Sequence, residues 1–223
     1  MGTQRILIIC SGTIGMLILM LLRRNRFPHI KLWKYPVTSV LLTIAGVAGA
    51  MLMFYIESGK FGGTSFFGAI LFIPILLLLP ALALGISFGT MMDLCAPAEC
   101  LMLAFMKLDC LMSDCCIGKY LPALQLQFPS QIVEMVTILI IMLLLIRLEN
   151  SGNHKGQLYG YYLIFYGFTR FILNWFRYGL TPFVWILPAG NFWSIVALAA
   201  GLIWLAVLRR TIKPVQSAQK EQS

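Results

Sequence analysis

Seven apolar runs, each close to the roughly 20 residues a helix needs to cross the hydrocarbon core of a bilayer, take up most of this chain: 6–22, 36–56, 66–85, 87–106, 130–146, 158–176 and 192–208. Hydrocarbon offers no partner to a backbone N–H or C=O, so runs of this kind are stable there as helices, which satisfy those groups internally. Composition removes the soluble alternative: 60% of the 223 residues are hydrophobic and only 11% are charged, with a mean hydropathy of +0.87. The expected fold class is therefore all-α, a polytopic integral membrane protein with seven transmembrane helices. A formal charge of +9 does not point to nucleic acid, because the basic residues punctuate the apolar runs instead of gathering on a polar domain.

Counting those basic residues on alternate sides orients the chain. Arg23, Arg24, Arg26, Lys31, Lys34, Arg147, Lys155, Arg209, Arg210, Lys213 and Lys220 fall on one side; Arg5, Lys60, Lys107, Lys119 and Arg177 fall on the other. The positive-inside rule makes the first set cytoplasmic, which places the N-terminus outside and the C-terminus in the cytoplasm. The first run has its basic flank after it and no small-residue cleavage site, so it is expected to be a retained helix. Residues 1–213 are expected to form a single transmembrane domain, with 214–223 as a polar, disordered cytoplasmic tail. The fourth run contains Asp93, Glu99 and Pro97, and two readings stand: a helix whose carboxylates pair within the bundle, or a partly re-entrant segment. Ala45 with Gly49 and Gly46 with Ala50, each four apart, predict close helix packing, while His29 and His154 read as solvated loop residues.

Arg170 departs most from the pattern, because it lies inside the sixth run, where an arginine costs at least about 2.5–3.5 kcal/mol. Arg177 follows seven positions later, which on a helix returns to within roughly 20° of the same direction, so the pair would share one stripe two turns apart. Lys107, at the far end of the fourth run, adds a third cation toward the same face. Guanidinium forks hold phosphate oxygens bidentately and an ammonium adds a point charge, so the three together predict a phosphate-bearing ligand at the outer headgroup level. Asp109, Asp114, Lys119, Gln131, Glu134 and Asn174 converge on that face from separate connections. Cys110, Cys115 and Cys116 cluster there too; either Cys110 pairs with one of the adjacent two, or all three are small packing residues. They make no CxxC pair and have no nearby histidine, so no metal is expected.

Five segments, in order, resemble the signatures of the prolipoprotein diacylglyceryl transferase family. FGGTSFFGA (61–69) is similar to G-G-x-S-F-H-G-G; KLDCLMSDCCIG (107–118) to R-x-G-N-F-x-N-x-E-x-x-G; FPSQIVE (128–134) to H-P-S-Q-L-Y-E; YGFTRFILNWFR (166–177) to Y-G-x-x-R-x-x-x-E-F-x-R; and AGNFWSI (189–195) to a G-Q-x-x-S-I stretch. The resemblance covers most of the chain, from about residue 49 to 208, and implies seven helices with the N-terminus outside. By position it implies Arg170, Lys107 and Arg177 as catalytic cations, Lys107 taking the place of an arginine. Tyr166, Gly118, Gln131, Glu134, Ser130, Gly62 and Gly63 keep the family residue, and with Phe67, Asn174 and Asp109 make up the implied substrate-binding set. Phe67 stands where the family has histidine, Cys110 where it has asparagine, Asn174 where it has glutamate, and Phe128 where it has the histidine before Pro129.

The implied reaction moves a diacylglyceryl group from phosphatidylglycerol to the lipobox cysteine of a prolipoprotein at the outer leaflet of the bacterial cytoplasmic membrane. Phosphatidylglycerol, the lipobox peptide and membrane lipids are the expected partners, with no metal, diffusible cofactor or nucleic acid. A base for the thiol would come from Asp109, Asp114 or Glu134. The alternatives are a related phospholipid-dependent transferase with a different acceptor, or a non-catalytic lipid-binding protein on the same scaffold.

Overall fold

The computed structural model describes residues 2–113, 115, 118–122, 125–151, 156–178, 182–184 and 186–220. Asp114, Cys116, His154 and Lys155 lie outside them. Among the described residues the chain is built from eight α-helices: α1 (Gly2–Leu22), α2 (Lys34–Ser58), α3 (Phe66–Leu76), α4 (Leu78–Ala83), α5 (Phe88–Met112), α6 (Ser130–Asn150), α7 (Leu158–Asn174) and α8 (Ala189–Lys220). Two short antiparallel hairpins interrupt them: β1 (Tyr120–Leu121) with β2 (Leu126–Gln127), and β3 (Pro182–Val184) with β4 (Leu187–Pro188). Five helical stretches are long and apolar enough to cross a membrane: Thr3–Leu22, Lys34–Ser58, Phe66–Ala83, Ser130–Asn150 and Ala189–Arg209. Of the rest, α7 has only 17 residues, and α5 carries Asp93, Glu99, Lys107 and Asp109, all buried.

The fourth apolar run forms one helix. Every residue from Met91 to Cys100 on α5 is buried, and α5 packs on α1, α6 and α7. Pro97 has no N–H to give the carbonyl of Asp93, four residues back, and the carbonyl needs another donor. Arg23 supplies it: Nη2 donates to the Asp93 carbonyl and Nη1 to that of Leu94, each at 3.0 Å. The same guanidinium grips Glu149 at the end of α6 through Nε (2.8 Å) and Nη2 (2.7 Å). The two carboxylates of α5 also find partners inside the bundle. Asp93 accepts from the backbone N–H groups of Gly156 (2.5 Å) and Leu158 (2.9 Å), satisfying donors at the start of α7 that have no intrahelical acceptor. Glu99 contacts the hydroxyls of Tyr162 (3.1 Å) and Tyr159 (3.3 Å).

Small residues bring α2 against α3. A Cβ on Gly68 would lie 2.0 Å from the carbonyl oxygen of Gly49, so neither position has room for a side chain. Gly46, from the same predicted packing pattern, has its nearest neighbour at 3.8 Å and is not part of the tight contact. His29 is exposed in the loop before α2. The last helix runs through Lys220, past residue 213 where the sequence places the start of a tail; Pro214 removes one N–H and leaves the rest of the ladder available.

Candidate functional site

Three helices meet at one carboxylate. Lys107 Nζ of α5 contacts Oε2 of Glu134 on α6, and Arg170 Nη1 of α7 contacts Oε1. All three side chains are at least nine-tenths buried. Two cations engage one carboxylate, and a buried charge is tolerated when paired and strongly disfavoured when stranded. Arg177 adds its field to Glu134 from nearby.

Helical spacing assembles the surroundings. Tyr166 and Arg170 are four apart on α7 and share a face, and the ring of Phe67, from the first turn of α3, meets Tyr166 edge-on at 5.8 Å. Its neighbour Phe66 lies with its ring 4.3 Å from Lys107 Nζ, a cation–π contact. Phe66 also lines a cavity of about 390 Å³ whose walls come from α1, α2, α3 and α5. Leu42, Ala50, Ala69 and Ile73 keep that cavity apolar, while Gly62, Gly63, Arg5 and Asp109 border it. Lys107, Glu134 and Arg170 are not among its lining residues. Phe66 is shared by the cavity wall and the cation cluster and stands between them.

The remaining predicted residues divide between the cluster and its supports. Arg177 is not on the helix that carries Arg170: α7 ends at Asn174 and a turn follows, so the single helical stripe expected from spacing does not form. Arg177 instead forms an antiparallel bridge with Gly118, and the adjacent Lys119 N–H donates to the Phe176 carbonyl at 2.8 Å. Gly118 has no room for a side chain, since a Cβ there would lie 2.1 Å from the Phe128 carbonyl oxygen. Ser130 is buried at the start of α6, and Gln131 Nε2 donates to the Cys115 carbonyl at 2.7 Å, tying that loop to the helix. Asn174 donates to Asn191 at the start of α8 and packs on Gly190, which joins α7 to α8. Asp109 accepts from Arg5 Nε at 3.2 Å. Among the described residues no group of three or more His, Cys, Asp or Glu side chains is close enough to hold a metal ion.

A family model described as prolipoprotein diacylglyceryl transferase matches residues 6–207. The chain belongs to the prolipoprotein diacylglyceryl transferase family. One relative is the phosphatidylglycerol–prolipoprotein diacylglyceryl transferase 2 of Clostridium perfringens (strain 13 / Type A), 26% identical over 192 residues that cover 74% of this chain and 75% of that protein. Family membership points to a transferase of lipoprotein biosynthesis, and with five apolar helices long enough to span, to a multi-pass membrane protein. Within that family this chain has Phe67 packed edge-on to Tyr166 at the position where a histidine is expected, and a phenylalanine ring cannot accept a proton. Two contributors were not singled out from sequence. Phe66 sits inside a motif read for its neighbour, and Arg5 pairs with a residue 104 positions away, a separation that no local pattern reports.

Proposed function

We propose that this protein transfers a diacylglyceryl group from phosphatidylglycerol to the cysteine thiol of a prolipoprotein lipobox, at the outer leaflet of a bacterial cytoplasmic membrane. The supporting observation is the doubly engaged Glu134: Lys107 and Arg170 converge on it, and Phe66, which contacts Lys107, lines an apolar cavity of about 390 Å³. The chain would cross the membrane seven times, α5 and α7 completing the count, with its N-terminus outside and its C-terminus in the cytoplasm. Acyl chains occupy the cavity and the phosphodiester turns toward the cations.

The thiol sulfur attacks the glyceryl carbon that carries the phosphate. A C–S bond forms, the C–O bond breaks, and glycerol phosphate leaves with the electron pair. Charge grows on the departing phosphate, where fixed cations in a water-poor site act most strongly. Arg170 and Lys107 stabilise it directly and Arg177 adds to the field. Asp109 borders the cavity and accepts the thiol proton; Glu134, already holding two cations, stays ionised and keeps them in place. The Gly62–Gly63 turn shapes the pocket around the lipid, while Tyr166, packed on Phe67, stands beside Glu134 and Arg170. Gly118, Ser130, Gln131 and Asn174 hold the connecting segments in register.

The test uses purified protein in phosphatidylglycerol micelles with a fluorescent lipobox peptide. Wild type should lipidate the peptide, and Arg170→Ala and Lys107→Ala should each lose about 100-fold or more. Full activity in both variants would sink the cation mechanism. No wild-type transfer, under conditions where the C. perfringens relative transfers, would sink the reaction. Phe67 in place of a histidine favours one rival, a transferase with another acceptor: lipid turnover without peptide labelling would select it.

A further inference from the structure

Arg5 is the one basic side chain among the described residues lining the apolar cavity. It lies just outside the residues that match the family, 6–207, and none of the family motifs includes it. Its partner Asp109 is 8% exposed, whereas Arg5 itself is 55% exposed. The contact is made by Nε alone at 3.2 Å. A guanidinium has five N–H donors; here the four on the terminal nitrogens make no hydrogen bond to described residues and are open to a ligand. The Arg5 side of the pair is open to solvent and screened there, so the guanidinium can turn from Asp109 to a stronger anion. Behind the pair the cavity is apolar, and Gly62, Gly63 and Thr64 line it beside Arg5. Gly62 adopts φ +104°, a conformation that favours glycine, with nothing within 4 Å of its missing Cβ, so this side of the mouth is open.

The geometry points to Arg5 as an entry site for the donor lipid: its terminal nitrogens take the phosphodiester of an anionic glycerophospholipid at the cavity mouth while the acyl chains enter the cavity, and Asp109 is released from its ion pair in exchange. This rests on the phospholipid-donor reading above and adds a residue to it. Charge complementarity selects this occupant, because a pocket walled mainly by apolar side chains, with Glu99 in its lining, and capped by a half-exposed guanidinium matches an acyl chain joined to a phosphate. It also separates two tasks. Arg5 recognises the arriving lipid, and the buried Lys107 and Arg170, already bridged by Glu134, act on it later. Releasing Asp109 as the lipid arrives gives the thiol a proton acceptor only when a donor is present.

Equilibrium binding of an acyl-labelled phosphatidylglycerol to the protein in neutral detergent, read by fluorescence anisotropy without peptide, tests this apart from catalysis. Arg5→Ala should weaken phosphatidylglycerol binding about 10-fold and leave binding of the corresponding diacylglycerol, which lacks the phosphate, unchanged. Arg5→Lys should fall between. Asp109→Asn should tighten phosphatidylglycerol binding several-fold, because it frees the guanidinium. If Arg5→Ala and Asp109→Asn both weaken binding, the pair is a structural brace and the proposal fails; it fails equally if Arg5→Ala has no effect or if free glycerol phosphate competes as well as the lipid. Lipid binding with these sign changes but no peptide transfer would refute the transferase reading and leave the entry site standing. Transfer with phosphatidylglycerol binding indifferent to Arg5 would do the reverse.

Discussion

Replacing Glu134 by glutamine keeps the side chain's shape and removes a charge that Lys107 and Arg170 share in the interior. Both cations touch the same carboxylate, which holds them on the order of 5 Å apart. At an effective dielectric constant of about 20 their repulsion is roughly 3 kcal/mol. That agrees with the roughly 3–5 kcal/mol lost when one partner of a buried ion pair is removed. At about 2–4 °C per kcal/mol for a chain of this size, Glu134→Gln should lower the unfolding midpoint in detergent by roughly 6–20 °C. Circular dichroism during a thermal ramp reads this directly. Two further measurements make the reasoning strict. Lys107→Met combined with Glu134→Gln removes the repulsion between the two cations, though it leaves Arg170 without this carboxylate, and should recover part of the loss, giving a coupling of about 2 kcal/mol in a double-mutant cycle. Phosphatidylglycerol, whose phosphate can stand in for the missing carboxylate, should raise the midpoint of Glu134→Gln more than that of the wild type. A Glu134→Gln protein melting within about 2 °C of wild type, or a double variant as unstable as the sum of its parts, would refute the charge-sharing account.

Substitutions at the α2–α3 contact and at Arg23 examine the scaffold. Gly68→Ala places a Cβ 2.0 Å from the Gly49 carbonyl oxygen and must push α2 and α3 apart, whereas Gly46→Ala finds its nearest atom at 3.8 Å; the first should cost about 3 kcal/mol or prevent folding and the second should be close to neutral, as measured by the same thermal ramp. Arg23→Met strands Glu149 and the Asp93 and Leu94 carbonyls and should cost about 3–5 kcal/mol, of which Arg23→Met with Glu149→Leu should return a large part; equal losses in the single and double variants would show that the carbonyl contacts, and not the ion pair, dominate.

Hydropathy was enough to place most helices, because a run that must satisfy its own backbone in hydrocarbon has few alternatives. The starts of α6 at Ser130 and α7 at Leu158 coincide with the expected ones. Helical periodicity, by contrast, predicts direction and says nothing of where a helix stops. Arg177 is seven residues from Arg170, yet no glycine or proline near 175 marks the turn that takes it off α7 and onto Gly118. Charged residues in apolar runs were legible as points needing partners, but the partners were not. Glu134 serves two helices at once, Asp93 caps a helix that begins 65 positions later, and Arg23 completes a proline-broken ladder 70 positions away. Such pairings are fixed by how the bundle folds back on itself and leave no mark in local sequence.

Phe66 stands between a chamber for hydrocarbon and a buried cluster of charge. On one side its ring faces Lys107, and on the other it belongs to the apolar cavity. Hydrocarbon entering the cavity meets the ring and not the Lys107 ammonium, whose field the ring screens far less than water would. Acyl-chain length and branching can thus drift through changes at Ala50, Ala69 or Ile73 while the charge constellation is left alone. Conversely, an inhibitor that fills only the cavity would gain hydrophobic burial without direct contact with the charge behind the ring. A compound able to swing that one ring aside would reach both at once.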